Sequence, residues 1–493
     1  MGKQATGPIL LAMAEVADDH PLPLYRQVCE RIRGAILAGD LKPKSRLPST
    51  RTLAADLGVS RNTVEVAFSQ LEAEGFLLRR VGAGSYVAGE IPEQSKPPRR
   101  AQAKALAPQK KREAALSERG RMMVASAVEA ESTSARAFAP CVPALDSFPF
   151  RVWHRLLARH SRLHREELLL HGEAAGYRPL REAVSDYLAM ARAVKCDWRQ
   201  VIILTSTQQS LELAARLLLD PGDPVWLEDP GYLNARAALQ SAAAKIAPVP
   251  VDGDGLNVEA GVARAPLARL AYVTPSHQYP LGVTMSLKRR LALLEWAARV
   301  DAWVIEDDYD SEFRYTGRPL ASVQGIDPTG RVIYTGTFNK VMFPALRLAY
   351  LVAPVDLTDK FTAARTLTDG CSPGLMQAVM ADFIAEGHFG AHIRRMRNVY
   401  RERREVLLES IARHLGNRLR VGASDTGLHV TAWLPQAVND QAISERAMAK
   451  GLDTPPLSRY YLASHPPPGL LLNYASVTPP AIQRGIRTLA SIF

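Results

Sequence analysis

Leu47-Pro-Ser-Thr-Arg-Thr-Leu-Ala-Ala-Asp-Leu-Gly-Val-Ser-Arg-Asn-Thr-Val64 holds two helix starts in close succession. Ser49 and Ser60 each precede a short apolar-periodic run, where a hydroxyl can accept from the unpaired N–H groups of a first turn. The first run ends at Gly58. The second carries Val64, Ala67, Phe68 and Leu71 on one face. Two short helices joined by a glycine-containing turn form a helix-turn-helix. Upstream, Leu24, Val28, Ile32 and Ile36 recur at helical spacing before Gly39, a C-cap. Beyond Gly75, Phe76 to Val81 and Ser85 to Val87 read as two strands around Gly82-Ala-Gly84, a hairpin or wing.

Placement assigns the chemistry. Arg61, Asn62 and Thr63, at the start of the second helix, would reach base edges in a major groove. Arginine can grip guanine with two bonds, while hydroxyls and backbone N–H groups mostly hold phosphate. With Leu71-Glu-Ala-Glu-Gly-Phe-Leu77 and Gly82-Ala-Gly-Ser-Tyr-Val87, the block resembles the winged helix of GntR-type transcription regulators. That resemblance implies binding of double-stranded operator DNA through Arg51, Arg61, Thr63 and the wing at Gly82. The family usually has Thr-Phe-Val after the wing glycine; Ser85-Tyr-Val87 is a conservative change.

The 493 residues carry a formal charge of +11, with 47% apolar and 23% charged side chains. That composition excludes a disordered chain, a collagen-like repeat and a disulfide-dense mini-protein. No apolar run reaches the ~18–20 residues that span a bilayer, so no membrane partner is expected. Ile9 to Ala14 is short and followed by Glu15, Asp18 and Asp19, a poor signal peptide. Cys29, Cys141, Cys196 and Cys371 form no Cys-x-x-Cys motif, which suits a reduced, cytoplasmic protein. Residues 1–121 hold 20 basic and 13 acidic residues, so the first quarter carries most of the charge excess. Such asymmetry suits a polyanion, although a solvated basic surface explains it equally well. The expected organisation is a winged helix over 20–88, a linker over 89–136 and a larger domain over 137–493. The linker holds Pro92, Pro97, Pro98 and Pro108 and lacks a sustained apolar face.

In the larger domain, Val201-Ile-Ile-Leu, Leu270-Ala-Tyr-Val, Ala302-Trp-Val-Ile and Arg331-Val-Ile-Tyr alternate with helical segments such as Gln208 to Leu219 and Leu287 to Val300. That pattern predicts an α/β fold with a largely parallel sheet between helix layers, and ligands at the carboxyl ends of its strands. No metal motif and no Gly-x-Gly-x-x-Gly appears. Instead, strand ends carry Thr205-Ser-Thr-Gln-Gln209, Glu306-Asp-Asp-Tyr-Asp310 and Thr335-Gly-Thr-Phe-Asn-Lys340, with Arg347 beyond. A lysine beside hydroxyls, a carboxylate and an arginine suits pyridoxal 5'-phosphate. An isolated lysine in a glycine turn is usually only a surface residue; the ordered set argues otherwise.

This region resembles a fold-type I aminotransferase domain, and the fusion to a winged helix resembles MocR-type regulators of the GntR superfamily. The resemblance implies Lys340 as the Schiff-base lysine. It implies Thr335, Thr337, Arg347 and the Ser206-Thr207 loop as the phosphate grip, and Asp307 as the partner of the pyridine nitrogen. Tyr309 matches the hydroxyl on the cofactor's 3'-oxygen, and Tyr232 the ring stacked on the pyridine. His277, in Thr274-Pro-Ser-His-Gln-Tyr-Pro-Leu-Gly282, borders that ring. Arg459 matches the arginine that pairs with an effector carboxylate. A homodimer, head-to-tail, follows, with an amine, an amino acid or the cofactor itself as signal. The chain departs from the pattern at several positions. Ser206 stands for Gly, and a positive φ there would strain it and weaken phosphate binding. Asn339 stands for Ser, Leu281 for Thr or Ser, and Ala193 for Gly. Asn234 occupies a position where some relatives have a second arginine.

An active aminotransferase carrying a DNA-binding module is the alternative, since Lys340, Asp307 and Arg459 are retained. A mere dimerisation scaffold would not need that set. Other residues read as structural. Trp153, Trp198 and Trp296 are expected as core or interface aromatics. His154, His160, His164 and His171 are expected on a solvated helix face, as are Arg394 to Arg397 with Arg401, Arg403 and Arg404.

Overall fold

The computed structural model describes residues 22–80, 84–89, 116–125, 136–162, 166–317, 320–423, 425–462 and 466–493. Contacts divide the chain into two compact units, Met1–Ala114 and Ala115–Phe493.

In the first unit, helix Leu24–Ala38 ends at Gly39 with φ 86°. Ser49 accepts the Thr52 N–H at 3.1 Å and starts helix Thr50–Leu57, which stops at Gly58 with φ 64°. Ser60 accepts the Thr63 N–H at 3.1 Å and starts helix Arg61–Ala73. Both hydroxyls satisfy donors that a helix start leaves open, an effect of about 1 kcal/mol each. Val28, Ile32, Leu53, Val64, Phe68 and Leu71 close one core between the three helices. Strands β1 (Leu77–Arg80) and β2 (Gly84–Val87) pair antiparallel. The Leu47 N–H donates to the Ser85 carbonyl and the Val87 N–H to the Ser45 carbonyl, both at 2.9 Å. The wing is thereby stitched to the segment that leads into the helix-turn-helix. Its tip, Gly82 included, lies outside the described residues.

The second unit is built on strands β3 (Val201–Leu204), β4 (Pro224–Asp229), β5 (Lys245–Asp252), β6 (Gly255–Leu256), β7 (Leu270–Val273), β8 (Trp303–Asp308), β9 (Val332–Thr337) and β10 (Ala349–Val352). They form one sheet in the order β3-β10-β9-β8-β7-β4-β5-β6. The β4, β5, β7, β8 and β9 neighbours pair parallel. Strand β10 runs antiparallel to β3 and β9, so the sheet is largely, not wholly, parallel, as expected. The loop 338–348 is too short for the helical crossover that a parallel return requires.

Alternate residues feed opposite faces. Ile202 and Leu204 pack with Leu211, Ala214, Ala235 and Ala238 from helices Thr207–Leu218 and Leu233–Ser241. Val201 and Ile203 pack with Leu180, Val184 and Leu188 from helix Arg178–Arg192. Helix Leu287–Val300 covers Ala271, Val273 and Val304 through Leu293 and Ala297. Both faces are covered, which explains the near-continuous apolar strands. A smaller antiparallel sheet of β11 (Arg420–Val421), β12 (His429–Trp433) and β13 (Gly469–Asn473) follows.

Three expectations change. Within the region read as linker, Glu118–Ala125 is a helix that buries none of its residues and lies against helix Leu233–Ser241. The proline-bearing stretch 90–115 lies outside the described residues. His160 is buried and bonded through Nε2 to Asp382 at 2.7 Å, because it shares a helix face with Trp153 and Leu156. Arg403 is buried too, on the face of Met396, Tyr400 and Leu407. Its guanidinium reaches the Ala475 carbonyl and Asp146. Ala193 sits at φ 55°, a left-handed C-cap that costs a β-carbon-bearing residue about 1–2 kcal/mol. Among the described residues, no helix is long and apolar enough to cross a membrane.

Candidate functional site

In the winged helix, Arg51, Arg61 and Asn62 are exposed. The Thr63 hydroxyl lies 2.8 Å from the Ser60 hydroxyl, so part of its bonding capacity serves the cap. Two other arginines of this unit are paired inside it. Arg33 pairs with Glu74 at 2.6 Å, and Arg79 pairs with Glu65. Arg51 and Arg61 thus stand at two helix starts as outward-facing cations.

In the second unit, the carboxyl ends of β4, β7, β8 and β9 border one cavity. Its wall includes Thr207, Tyr232, Asp307, Tyr309, Thr337 and Lys340. A more open cleft of about 450 Å³, beside Arg418, Arg420 and Trp433, contains no lysine and no carboxylate.

The strand end Glu306-Asp-Asp-Tyr-Asp310 shows how the fold sorts four acids. Glu306 accepts the N–H groups of Val323 and Gln324, both at 2.9 Å. Asp308 points away from Asp307, as strand alternation requires. It pairs with Arg192 at 2.6 Å and accepts the Tyr334 hydroxyl at 2.6 Å. Asp310 is bonded to His277. Asp307 alone of the four lines the cavity. Its Oδ2 accepts the Tyr272 hydroxyl at 2.8 Å, while its buried Oδ1 has no partner. Burial pushes its carboxyl up to about 7, against the opposing pull of the Tyr272 hydroxyl.

Lys340 stands just past β9, in a loop braced by its neighbour. The Asn339 amide donates to the Thr205 carbonyl at 3.2 Å, and its oxygen accepts the Leu348 N–H at 3.0 Å. The Asn339 N–H donates to the Thr337 hydroxyl at 3.1 Å. Asn339, which stands for Ser, is therefore what ties the lysine loop to the end of β3.

Several expected site residues are placed otherwise. Ser206 has φ −167°, an extended conformation open to any residue, and caps helix Thr207–Leu218 by accepting the Gln209 N–H at 3.3 Å. The expected strain is absent, and with it the reason for weak phosphate binding. Thr207 follows as the first helical residue and lines the cavity. The Thr335 hydroxyl is not in the cavity wall. It is buried against the Ser210 hydroxyl at 2.9 Å and the Tyr350 carbonyl at 3.2 Å. Arg347 is exposed and held at φ 52°. His277 does not line the cavity. Its Nδ1 lies 2.9 Å from the Tyr309 hydroxyl, which does.

Arg459 belongs to the turn Leu457–Tyr460, which seats on the β4 exit. The Gly231 N–H donates to the Tyr460 carbonyl at 3.1 Å, and the Leu462 N–H to Asp229 at 2.7 Å. Arg236 comes from the adjacent helix. Burial first, and the nearby Arg459 charge second, disfavour its protonated form. Asn234 is taken by the Tyr232 hydroxyl at 3.0 Å. Sequence reasoning missed Arg236, Tyr272, Thr274 and Tyr279. The one signal for Tyr272 and Thr274 was their position at a strand end, and Arg236 lay four residues past Tyr232.

The comparisons agree with this geometry. Residues 24–87 match the model of the bacterial regulatory proteins of the gntR family, and residues 145–489 match aminotransferase class I and II. The probable rhizopine catabolism regulatory protein MocR of Rhizobium meliloti is 42% identical over 96% of this chain and 94% of its own. The regulator TauR of Rhodobacter capsulatus is 31% identical over 95% of this chain and 96% of its own. Pyrococcus horikoshii kynurenine aminotransferase, solved with PMP, superposes with a TM-score of 0.68 at 28% identity. That match covers 80% of this chain and 98% of the aminotransferase. The chain belongs to the MocR-type transcription regulators, which join a GntR winged helix to a fold-type I aminotransferase domain. Its first unit is a DNA-binding domain.

Proposed function

We propose that this regulator holds pyridoxal 5'-phosphate on Lys340 and uses it to sense an amine, an amino acid or the cofactor itself while its winged helix grips double-stranded operator DNA. The observation that carries the reading is the partnerless, buried Oδ1 of Asp307 in the same cavity as Lys340. A buried carboxylate oxygen without a hydrogen bond is costly unless a cation meets it. A protonated ring nitrogen is such a cation, so the residues fit the group. When bound, the cofactor supplies an aldehyde that condenses with amines.

The chain's own residues do the rest. Lys340 would hold the group through its amine and give up that place to an incoming amine. Thr207, Thr337 and the N-terminus of helix Thr207–Leu218 receive the phosphate, with Ser206 closing that turn and Arg347 adding charge from the loop beyond β9. Tyr232 covers one ring face. Burial holds the Tyr309 phenol firmly protonated, a donor for the 3'-oxygen. Arg459 and Arg236 have no ion-pair partner among the described residues, which supports an effector bearing an anionic group. Fold-type I sites are completed across a subunit boundary, so a cytoplasmic head-to-tail homodimer addressing repeated half-sites is part of the reading. Retention of Lys340, Asp307 and Arg459 also favours a second reading, slow transaminase turnover.

Borohydride reduction of the purified yellow protein is expected to fix the cofactor on the peptide that contains Lys340. Label on any other lysine overturns the site.

On the DNA side, Arg61→Ala is expected to weaken operator binding by about 1–3 kcal/mol and to relax base preference. Arg51→Ala should weaken binding to all sequences alike and reduce the salt slope by about one ion. Titrations of operator and scrambled duplexes at several salt concentrations separate the two. An Arg61→Ala variant with unchanged operator affinity has no readout role.

A further inference from the structure

Behind the cavity wall lies a buried polar cluster that the proposed function leaves unused. His277, Asp310 and His429 are all buried. Nδ1 of His277 lies 2.9 Å from Asp310 Oδ2 and 2.9 Å from the Tyr309 hydroxyl. A carboxylate only accepts, so Nδ1 of His277 is the donor in this contact. That N–H is shared between Asp310 and the phenol oxygen. With its oxygen accepting from His277, Tyr309 keeps its own proton for the cavity.

The surroundings are shaped for this ring. Gly427 has φ 84°, and a β-carbon there would fall 1.9 Å from His277 Cε1. His429 lies with its ring centroid 4.9 Å away and donates from Nε2 to the Pro280 carbonyl at 3.1 Å. Burial pushes the His429 pKa down to about 3, so it adds no charge. The three side chains place ligand atoms within 4.8 Å of one another, as a metal would require. Nδ1 of His277 is within hydrogen-bond distance of both Asp310 and Tyr309, a relay that His429, bonded to Pro280, does not extend.

We propose that His277, clamped by Asp310, is a positioning residue that fixes the Tyr309 hydroxyl as a donor into the cavity and so tunes the proton affinity of the cofactor–Lys340 linkage. This rests on the cofactor reading above. A donor on the 3'-oxygen draws off the electron density that would otherwise hold the linkage proton. Loss of that donor raises the proton affinity. Other groups face the relay. Asp308 acts on Asp310, and Asp307, Glu228 and Cys141 act on Tyr309. Tyr315 and Tyr474 lie against Asp310, and Lys340 against Asp307. All are left intact by the variants.

The test is a pH titration of the bound cofactor's absorbance in the full chain. The variants are His277→Phe, Tyr309→Phe and the double variant, each first shown by borohydride to hold cofactor on Lys340. Tyr309→Phe is expected to raise the linkage pKa by roughly one to two units. His277→Phe should move it the same way by at least half as much. The double variant should match Tyr309→Phe alone. His277→Asn, whose amide N–H can replace Nδ1–H, should bring most of the shift back toward the wild-type value, which a packing defect would not allow. If His277→Phe does not fold, Asp310→Asn, which releases the imidazole, carries the same expectation. An unmoved pKa in a labelled variant, an additive double variant, or stoichiometric zinc in the purified wild type overturns the relay. Failure to label Lys340 in wild type instead overturns the cofactor reading.

Discussion

Lys340→Ala is expected to leave operator affinity within about twofold of wild type, roughly 0.4 kcal/mol, and to abolish its change on adding cofactor and amine. The first half follows from the two separate cores. Arg51 and Arg61 stand on helices closed by Val28, Val64, Phe68 and Leu71, a core made within the first unit. Around Lys340, the loop is held by Asn339 and by Phe338, Val341 and Met342, all buried. Removing one half-buried amine leaves that brace in place, so the variant should fold. The second half follows from linkage. A ligand shifts an equilibrium only by its differential affinity for two states, and a tenfold response needs about 1.4 kcal/mol of difference. Without the amine of Lys340, neither covalent attachment nor its exchange is available to supply that difference. Operator affinity is measured in both proteins, with keto-acid production in the wild type. A variant that still responds shows that reversible binding suffices. Rapid turnover with an amino acid that leaves DNA binding unchanged would instead favour the enzyme reading.

Much of this was legible because local chemistry agreed with the global fold. Ser49 and Ser60 cap where a serine before an apolar-periodic run should cap, and Gly39 and Gly58 stop helices in the left-handed conformation. Val201–Leu204 is apolar at every position because helices cover both faces. Arg403 and His160 were misread because a polar residue on an apolar face looks like a break in that face, unless its distant partner is known. Asp146 is 257 positions from Arg403, and Asp382 is 222 from His160. The Thr335 hydroxyl was misassigned for a related reason. The motif places a threonine at a strand end, but only tertiary packing brings Ser210 to claim it. By residue type alone the four acids of Glu306–Asp310 are equally attractive, and only the family resemblance singles out Asp307. Strand alternation separates Asp307 from Asp308, yet nothing local announces that Glu306 serves two N–H groups and Asp310 a histidine.

Asp307→Asn is expected to weaken cofactor binding by about 3 kcal/mol, roughly 150-fold. The carboxylate of Asp307 is buried, with Oδ1 unpartnered and Oδ2 held by Tyr272. An asparagine keeps the shape and can still accept from Tyr272, so the fold is preserved. It cannot compensate a protonated ring nitrogen. The pH dependence gives a sharper test. Burial raises the folded carboxyl from 3.8 to about 7. Because this acid's folded pKa is raised, the cost of ionising it in the apo protein grows from about pH 4 and is complete above about 7. Bound cofactor supplies the missing cation and lowers that pKa again. Binding therefore releases a proton below pH 7, and wild-type affinity should rise by up to about tenfold per pH unit from 5 to 7 through this group. Lys340 and the phosphate titrate in both proteins, so the difference between wild type and Asp307→Asn isolates Asp307. The gap between them should narrow as pH falls from 7 to 5. Apo protein titrated with cofactor by fluorescence at pH 5, 6 and 7 gives the comparison, and parallel pH profiles with equal affinities would remove Asp307 from the ring-nitrogen role.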